Sequence, residues 1–291
     1  MGAESARAEL VLDARAGLGE GPLWDARSSA LLWVDIMAGL VHRFDPATGT
    51  DVTLDVGQPV GAVVPRAAGG YALAIRDGFA VIDADGSPMR IVARVDDDRP
   101  ELRMNDGACD SRGRFWAGTM HLHEVPGAGA LYRLAPDGNV ETMLQDVTVS
   151  NGIAWSPDDT VMYYADTATQ GIDAFDYDAE SGAISNRRRV ATIEDGAGSP
   201  DGLVVDEEGC IWVALWEGWA VRRYSPDGAL QRVVNVPAAR VTKPAFGGPA
   251  LDELYITSAA PDAADAEQPH AGGIFRVRPG VRGLPANAYA G

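Results

Sequence analysis

A strand-like motif recurs six times along the chain, and this repeat limits the folds that the sequence can adopt. Each copy places an aromatic residue among small or β-branched residues, as in Leu-Leu-Trp-Val-Asp-Ile at 31–36. The six aromatic positions are Trp33, Tyr71, Trp116, Tyr164, Trp212 and Tyr255. Their spacings of 38, 45, 48, 48 and 43 residues are typical of the blades of a β-propeller.

Two further series of strand-like segments accompany the aromatic series in every unit. A short apolar segment that ends in a turn precedes each aromatic segment, as in Gly-Glu-Gly-Pro-Leu-Trp-Asp at 19–25. An alternating segment that runs into a Pro, Asp or Gly turn follows it, as in Val-His-Arg-Phe-Asp-Pro at 41–46. Three strands or more per unit, without helical periodicity, predict an all-β fold. We expect a six-bladed β-propeller formed by a single domain over residues 1–291.

Residues 8–15 have strand character but belong to no unit of their own. We expect this N-terminal strand to complete the last blade and so to close the ring. Closure would protect the edges of the sheets, because an open ring leaves unpaired backbone groups at both ends.

The bulk composition argues against several classes of function. A formal net charge of −18 at pH 7 repels phosphate backbones, so no nucleic-acid partner is expected. No apolar run reaches the roughly 18 residues of a membrane helix, and the N-terminus lacks the apolar stretch of a secretory signal. We therefore expect a cytoplasmic protein without a membrane partner. Cys109 and Cys210 are too few for a disulfide framework and are predicted to stay reduced.

Acidic or amide residues stand at the start of the first strand in four of the six units. They are Glu20, Asn105 with Asp106, Asn151 and Asp201, and a glycine follows each of them or each pair. The first strand of every blade lines the channel of a propeller, so these side chains should ring one mouth. Their oxygens suit a divalent cation. The alternative is that they only form turns, because Asn-Gly and Asp-Gly are turn signals by themselves.

The histidines and one acidic run leave other possibilities open. His121 and His123 form a His-x-His pair, which can hold zinc or can belong to a solvated or substrate-facing loop. His42 and His270 are expected at the surface. The acidic run at 96–98 is predicted to form a loop that leads to the channel mouth and could cover it. No Gly-x-Ser-x-Gly sequence is present, so a serine-hydrolase triad is not supported.

Several longer strings resemble those of one known family, that of regucalcin, gluconolactonase and the luciferin-regenerating enzymes. The resemblance covers nearly the whole chain. Its most specific strings are Gly-Glu-Gly-Pro at 19–22, Arg-Met-Asn-Asp-Gly at 103–107, Phe-Trp-Ala-Gly-Thr-Met at 115–120, Ser-Asn-Gly-Ile-Ala-Trp-Ser at 150–156, Pro-Asp-Gly-Leu at 200–203 and Ala-Phe-Gly-Gly at 245–248.

This resemblance implies a chemistry for the channel mouth. It implies one divalent metal ion, either calcium, zinc, manganese or ferrous iron, bound by Glu20, Asn151 and Asp201. It further implies that Arg103 and Asn105 contact the substrate, and that Asp201 also acts as the catalytic base. The chain departs from the family at His123, which stands where regucalcin-like members carry a substrate-contacting glutamate.

The single lysine of the chain, Lys243, lies in a Thr-Lys-Pro string that resembles bacterial pentonolactonases. We expect both His123 and Lys243 to contact the substrate, and both leave the identity of the sugar open. The implied function is metal-dependent hydrolysis of a small-molecule sugar lactone, such as glucono-, xylono- or arabinonolactone, to the aldonic acid. The alternatives are a calcium-binding regulatory protein of the regucalcin type and a metal-dependent esterase or phosphotriesterase. The sequence is silent on oligomeric state.

Overall fold

The computed structural model describes residues 4–84, 87–261 and 268–291, and these residues form six β-sheets. The first strands of successive blades contact one another in a closed ring. The prediction of an all-β, six-bladed propeller is therefore confirmed. The described part of the chain contains one helical segment, a 3₁₀ turn at Thr167–Thr169, and no helix there is long and apolar enough to cross a membrane.

The first three blades each consist of four consecutive antiparallel strands. Blade 1 contains β3 (Gly19–Asp25), β4 (Ala30–Asp35), β5 (Leu40–Asp45) and β6 (Thr50–Asp55). Blade 2 contains β7 (Val60–Pro65), β8 (Tyr71–Ile75), β9 (Gly78–Ile82) and β10 (Arg90–Arg94). Blade 3 contains β11 (Leu102–Cys109), β12 (Phe115–His121), β13 (Gly129–Leu134) and β14 (Val140–Val147).

The last three blades follow the same plan, but two of them also take a strand from the N-terminus. Blade 4 contains β15 (Ser150–Trp155), β16 (Val161–Asp166), β17 (Gly171–Asp178) and β18 (Ala183–Thr192). Blade 5 contains β19 (Ser199–Val205), β20 (Ile211–Trp216), β21 (Ala220–Tyr224) and β22 (Leu230–Asn235). Blade 6 contains β23 (Val241–Gly247), β24 (Glu253–Ser258) and β25 (Ile274–Val277).

The N-terminal chain closes the ring, as predicted. Strand β2 (Glu9–Leu12) pairs antiparallel with β25 and supplies the fourth strand of blade 6. Strand β1 (Glu4–Arg7), which the sequence did not predict, pairs in parallel with β22 at the outer edge of blade 5. Because β1 and β2 are almost contiguous, residues 4–12 cover the outer edges of two neighbouring blades.

The hydrophobic core of the described residues is divided into six clusters, each between two neighbouring blades. Between blades 5 and 6, Trp212 packs edge-to-face on Phe246 with ring centroids 5.9 Å apart. Five of the six aromatic positions of the repeat are almost fully buried in these clusters: Trp33, Trp116, Tyr164, Trp212 and Tyr255. Each cluster joins two sheets, so the blades stabilise one another around the ring.

Buried aspartates tie the turns of two blades to these tryptophans. Asp110 accepts a hydrogen bond from Trp116 Nε1 at 2.9 Å, and Asp206 accepts one from Trp212 Nε1 at 2.8 Å. Each aspartate precedes its tryptophan by six residues, in the turn between the first and second strands. Both cysteines lie beside these turns as buried free thiols, in agreement with the prediction that they stay reduced.

The expectation of a surface position for His42 is wrong. Its ring stacks on Trp33 with centroids 3.7 Å apart, and its Nδ1 lies 2.7 Å from Asp51 Oδ2. The side chain is buried between the neighbouring strands, because Trp33 lies directly opposite it on β4 and Asp51 lies two residues from the opposite position on β6. His270 is exposed, as expected, and its Nδ1 lies 3.4 Å from an oxygen of Asp13.

The C-terminal segment, residues 283–289, crosses the end of the channel at which the first strand of each blade terminates. Gly283 bridges to Asp206 of blade 5, and the backbone N–H of Tyr289 donates to Pro65 of blade 2 at 2.8 Å. The buried Tyr289 hydroxyl donates to the carbonyl of Ala135 in blade 3 at 3.0 Å. This segment therefore links blades 5, 2 and 3 across one end of the channel.

Candidate functional site

Each first strand of the propeller has an irregular pairing near its start, at the other end of the channel. In blade 5, Pro200 pairs with Leu215 and Leu203 with Val213, which leaves Asp201 and Gly202 without partners on the second strand. Such β-bulges bend a strand and change the direction of its side chains. The corresponding unpaired residues are Asn105 with Asp106 in blade 3, Asn151 with Gly152 in blade 4, and Thr242 with Lys243 in blade 6.

The pairing between the first and second strands shows whether the four predicted side chains occupy equivalent positions in their blades. Asn105, Asn151 and Asp201 each occupy the first unpaired position after the last regular pair. Glu20 lies one position earlier, because it still pairs with Val34. The prediction that Glu20 is equivalent to the others is therefore wrong by one residue. Its carboxyl group nevertheless lies within hydrogen-bonding reach of Asp201, and it accepts the N–H of Gly21 at 2.7 Å.

The buried carboxyl groups at this mouth perturb one another. Burial raises the pKa of Glu20 to about 7, and the charge of Asp106 contributes in the same direction while Lys243 opposes it. Burial also raises the pKa of Asp201 well above its usual range, with further contributions from Glu20 and Asp106. All three acids are at most 5% exposed. Negative charge is thus concentrated where water can screen it little, which favours binding of a proton or a cation.

Asn151 provides a test of whether these residues fit a metal ion. Its Nδ2 donates to Thr167 Oγ1 at 2.9 Å, and that hydroxyl donates to the carbonyl of Pro200 at 2.8 Å. Its Oδ1 is buried and has no hydrogen-bond partner. A buried acceptor without a partner is costly, and a cation would satisfy it. The described residues contain no metal-ligating group of three or more His, Cys, Asp or Glu side chains, so a site here would combine two carboxylates with the Asn151 amide oxygen. This donor set suits a hard or borderline divalent cation.

Asn105 differs from Asn151 although the two share a repeat position. Asn105 Oδ1 accepts a hydrogen bond from Arg103 Nη1 at 2.6 Å, and its Nδ2 donates to the carbonyl of Ser150 at 2.8 Å. Each of its polar atoms therefore already makes one hydrogen bond, and Asn105 holds Arg103 in place. The predicted contact of Asn105 with the substrate stays a prediction. Burial lowers the pKa of Arg103 to about 10, against the opposing effect of nearby carboxylates. Arg103 remains a cation at neutral pH, close to the acids of the mouth.

With this geometry established, the comparison with known proteins places the chain in a family. Residues 18–260 match the family model described as the SMP-30/gluconolactonase/LRE-like region. The chain belongs to this family. Regucalcin of Danio rerio is 42% identical over 294 residues, which cover 99% of both chains.

Two solved structures support the same assignment. A luciferin-regenerating enzyme is 32% identical and superposes with a TM-score of 0.89, over 95% of this chain and 96% of that one. The calcium-binding protein regucalcin of Agrobacterium tumefaciens strain C58 is 29% identical with a TM-score of 0.93, over 99% of each chain.

The loop between β12 and β13 contains the departure from the SMP-30/gluconolactonase pattern. His123 is exposed, and its backbone N–H donates to His121 Nδ1 at 3.0 Å, so that nitrogen is not free for a metal. The next residue, Glu124, was not predicted from the sequence, and its charge acts on Arg103. Its only sequence signal is an acidic residue in a loop at the mouth. Asp96, in the acidic run at 96–98, accepts a hydrogen bond from the Tyr132 hydroxyl at 2.8 Å.

Lys243 extends into the channel from blade 6. The residue is 6% exposed, and its ammonium forms an ion pair with Asp106 of blade 3. The carbonyl of Gly107 lies 3.5 Å from the same nitrogen. The stem runs along Gly202, where an added Cβ would collide with Lys243 Cβ and Cγ. A substrate contact of the predicted kind would have to share the ammonium with Asp106.

A cavity of about 300 Å³ lies on the other side of Lys243. Its walls come from the ends of the first strands, with apolar residues such as Val63, Ile153 and Phe246, and from the C-terminal segment at 284–287. Glu20, Asn151 and Asp201 do not line it. Lys243 therefore lies between this cavity and the acidic mouth, which is the end of the channel that contains Glu20, Asp106 and Asp201.

Proposed function

We propose that the protein is a metal-dependent lactonase that hydrolyses a sugar lactone to the aldonic acid, with Glu20, Asn151 and Asp201 as the metal ligands. The observation that carries this proposal is the buried Asn151 oxygen without a partner, beside two carboxyl groups of raised pKa. Membership of the SMP-30/gluconolactonase family supports the lactonase class. When bound, a divalent cation supplies Lewis-acid stabilisation of the negative charge that develops on the lactone carbonyl.

The protein residues contribute orientation and proton transfer. Arg103, held by Asn105, donates hydrogen bonds to substrate hydroxyls, and His123 faces the substrate from the loop. Water adds to the carbonyl carbon, the bond between that carbon and the ring oxygen breaks, and the ring oxygen leaves as a hydroxyl. Asp201 is our candidate for the base that takes the proton from water and returns it to the ring oxygen. The net charge of −18 then favours release of the carboxylate product.

A calcium-binding regulatory protein is the second candidate. The full-length identity of 42% to a regucalcin supports it, as does the similarity to a solved regucalcin described as a calcium-binding protein. The same three side chains would serve this function, so the two candidates differ in turnover rather than in binding.

A panel of lactones separates these candidates. Metal-free protein is assayed on gluconolactone, xylonolactone, arabinonolactone and unsubstituted δ-valerolactone, with each of the four metals added back. We expect metal-dependent turnover of at least one sugar lactone, and Asp201→Ala should abolish both turnover and bound metal. Calcium binding without turnover of any lactone would support the regulatory candidate and refute the lactonase.

Arg103→Ala tests the assignment of a polyol substrate. Loss of a charge-assisted hydrogen bond of about 2–3 kcal/mol should lower kcat/KM for the sugar lactone by roughly 30- to 160-fold. The loss on δ-valerolactone, which has no hydroxyl groups, should be far smaller. Arg112→Ala is the matched control, because that arginine is exposed and pairs with Glu180, which is also exposed. Equal losses on both substrates would mean that Arg103 serves the fold or the metal.

A further inference from the structure

The buried ion pair between Lys243 and Asp106 has no task in the hydrolysis proposed above. Its members come from blades 6 and 3 and meet across the channel, 137 positions apart in the sequence. Asp106 is 2% exposed. Its Oδ1 accepts both the Lys243 ammonium and the N–H of Gly107, the latter at 2.7 Å.

The second oxygen of Asp106 is buried and has no hydrogen-bond partner. Asp106 also lies close enough to Glu20 and Asp201 for its charge to act on both. This free oxygen is therefore a potential ligand for a cation, next to the oxygens that we assign to the metal. Asp106 is not among the ligands of the first ion, so without the ammonium of Lys243 its carboxylate would be available to a second divalent ion.

The charges of the cluster indicate what prevents this. Glu20, Asp106 and Asp201 contribute three negative charges, and Lys243 contributes one positive charge. The positive charge of the nearby Arg103 is balanced by the negative charge of Glu124, which acts on it. A single divalent cation then makes the cluster neutral. A second divalent ion would leave a net positive charge in a buried environment. It would also be repelled by the ammonium of Lys243, which the side chain holds in the channel.

We infer that Lys243 is a built-in cation that occupies Asp106 and limits the channel to one divalent metal ion. This inference rests on the metal site of the proposed function. The position of Lys243 agrees with it, because the stem lies against Gly202 and separates the acidic mouth from the 300 Å³ cavity. Lys243 thus determines the number of bound ions rather than acting as a catalytic residue.

Metal counting tests the inference directly. Metal-free protein is dialysed against calcium, and the bound ions are counted together with the binding isotherm. We expect one ion for the wild type and two for Lys243→Met, the second one bound by Asp106. The double variant Lys243→Met with Asp106→Asn should return to one ion, because the additional carboxylate is gone. Lys243→Arg, which keeps the positive charge, should also bind one.

Arg112→Met is the control for net charge, since it removes one exposed cation that pairs with the exposed Glu180, and it should bind one ion. One ion in Lys243→Met as in the wild type would overturn the inference while leaving the metal site intact. No ion in the wild type would overturn the metal site, and the inference with it. The two failures are thus distinguished by the wild-type count.

A second measurement covers the case in which Lys243→Met does not fold. Lys243 is the single lysine of the chain, so acetylation of the lysine amine, located by mass spectrometry, reports on this position alone. The wild-type amine should resist acetylation both without metal and in saturating calcium, whereas the urea-unfolded protein should react. If saturating calcium makes the folded protein reactive, the ion displaces the ammonium from Asp106, and the inference is wrong.

Discussion

Binding of a divalent cation should displace protons from the acidic mouth at mildly acidic pH. Burial raises the pKa of Glu20 from 4.5 to about 7, and it raises the pKa of Asp201 as well. A metal ion requires both carboxylates in the charged form. Protons that occupy the site of the metal-free protein must therefore leave as the ion enters.

The magnitude follows from the raised pKa of Glu20. With a pKa of about 7, this group carries about 0.9 proton at pH 6 and about 0.03 proton at pH 8.5. Calcium binding at pH 6 should release at least about 0.9 proton per ion, and the contribution of Glu20 should vanish by pH 8.5. The apparent affinity should fall by at least about a factor of ten for each pH unit below the pKa of Glu20, because Asp201 also binds a proton there.

Isothermal titration calorimetry measures this release. The binding enthalpy at pH 6 is recorded in buffers of different ionisation enthalpy, and the slope of the plot gives the number of protons released. A slope near zero at pH 6 would refute the reasoning, because both carboxyl groups would then be charged before the ion arrives.

The same shift has a consequence for the stability of the metal-free protein. The folded-state pKa of Glu20 is raised above that of the unfolded chain, so the folded state binds the additional proton between about pH 4.5 and pH 7. The stability conferred by that proton is fully present below pH 4.5 and is lost as the pH rises through 7. At about 1.4 kcal/mol for each pH unit, the loss amounts to about 3 kcal/mol. Glu20→Gln, which stays neutral, should remove this part of the pH dependence in urea unfolding.

Two predictions concern the propeller itself. Asp206→Ala should lower the free energy of unfolding by about 3–5 kcal/mol, because it removes a fully buried carboxylate that binds Trp212 and Arg223. Asp195→Ala, at an exposed position, should change it by less than about 0.5 kcal/mol in the same urea titration, and equal effects would contradict the assignment. Deletion of residues 1–12 removes β1 and β2 and exposes the edge of β25. It should lower Tm and promote self-association in size-exclusion chromatography, and an unchanged Tm would show that the N-terminal strands do not stabilise the ring.

The sequence by itself determined the architecture of this protein. Six copies of an aromatic strand, spaced 38 to 48 residues apart, define six blades, since strand alternation and turn residues are local signals. The closing N-terminal strand could be predicted as well, because it was the strand-like segment left over from six complete units. The repeat also identified which residues begin the first strands, and hence which side chains approach the channel.

The tertiary structure decided what those side chains do. Asn105 and Asn151 share a repeat position, yet both polar side-chain atoms of Asn105 are hydrogen-bonded and the oxygen of Asn151 is free. Glu20 reaches Asp201 from a position offset by one residue, and Lys243 meets Asp106 from a blade that is not adjacent in sequence. A repeat specifies positions within a blade, whereas hydrogen bonds and charges in the channel join residues of different blades. Those contacts depend on the bulges and on the closure of the ring, and no local pattern in the sequence encodes them.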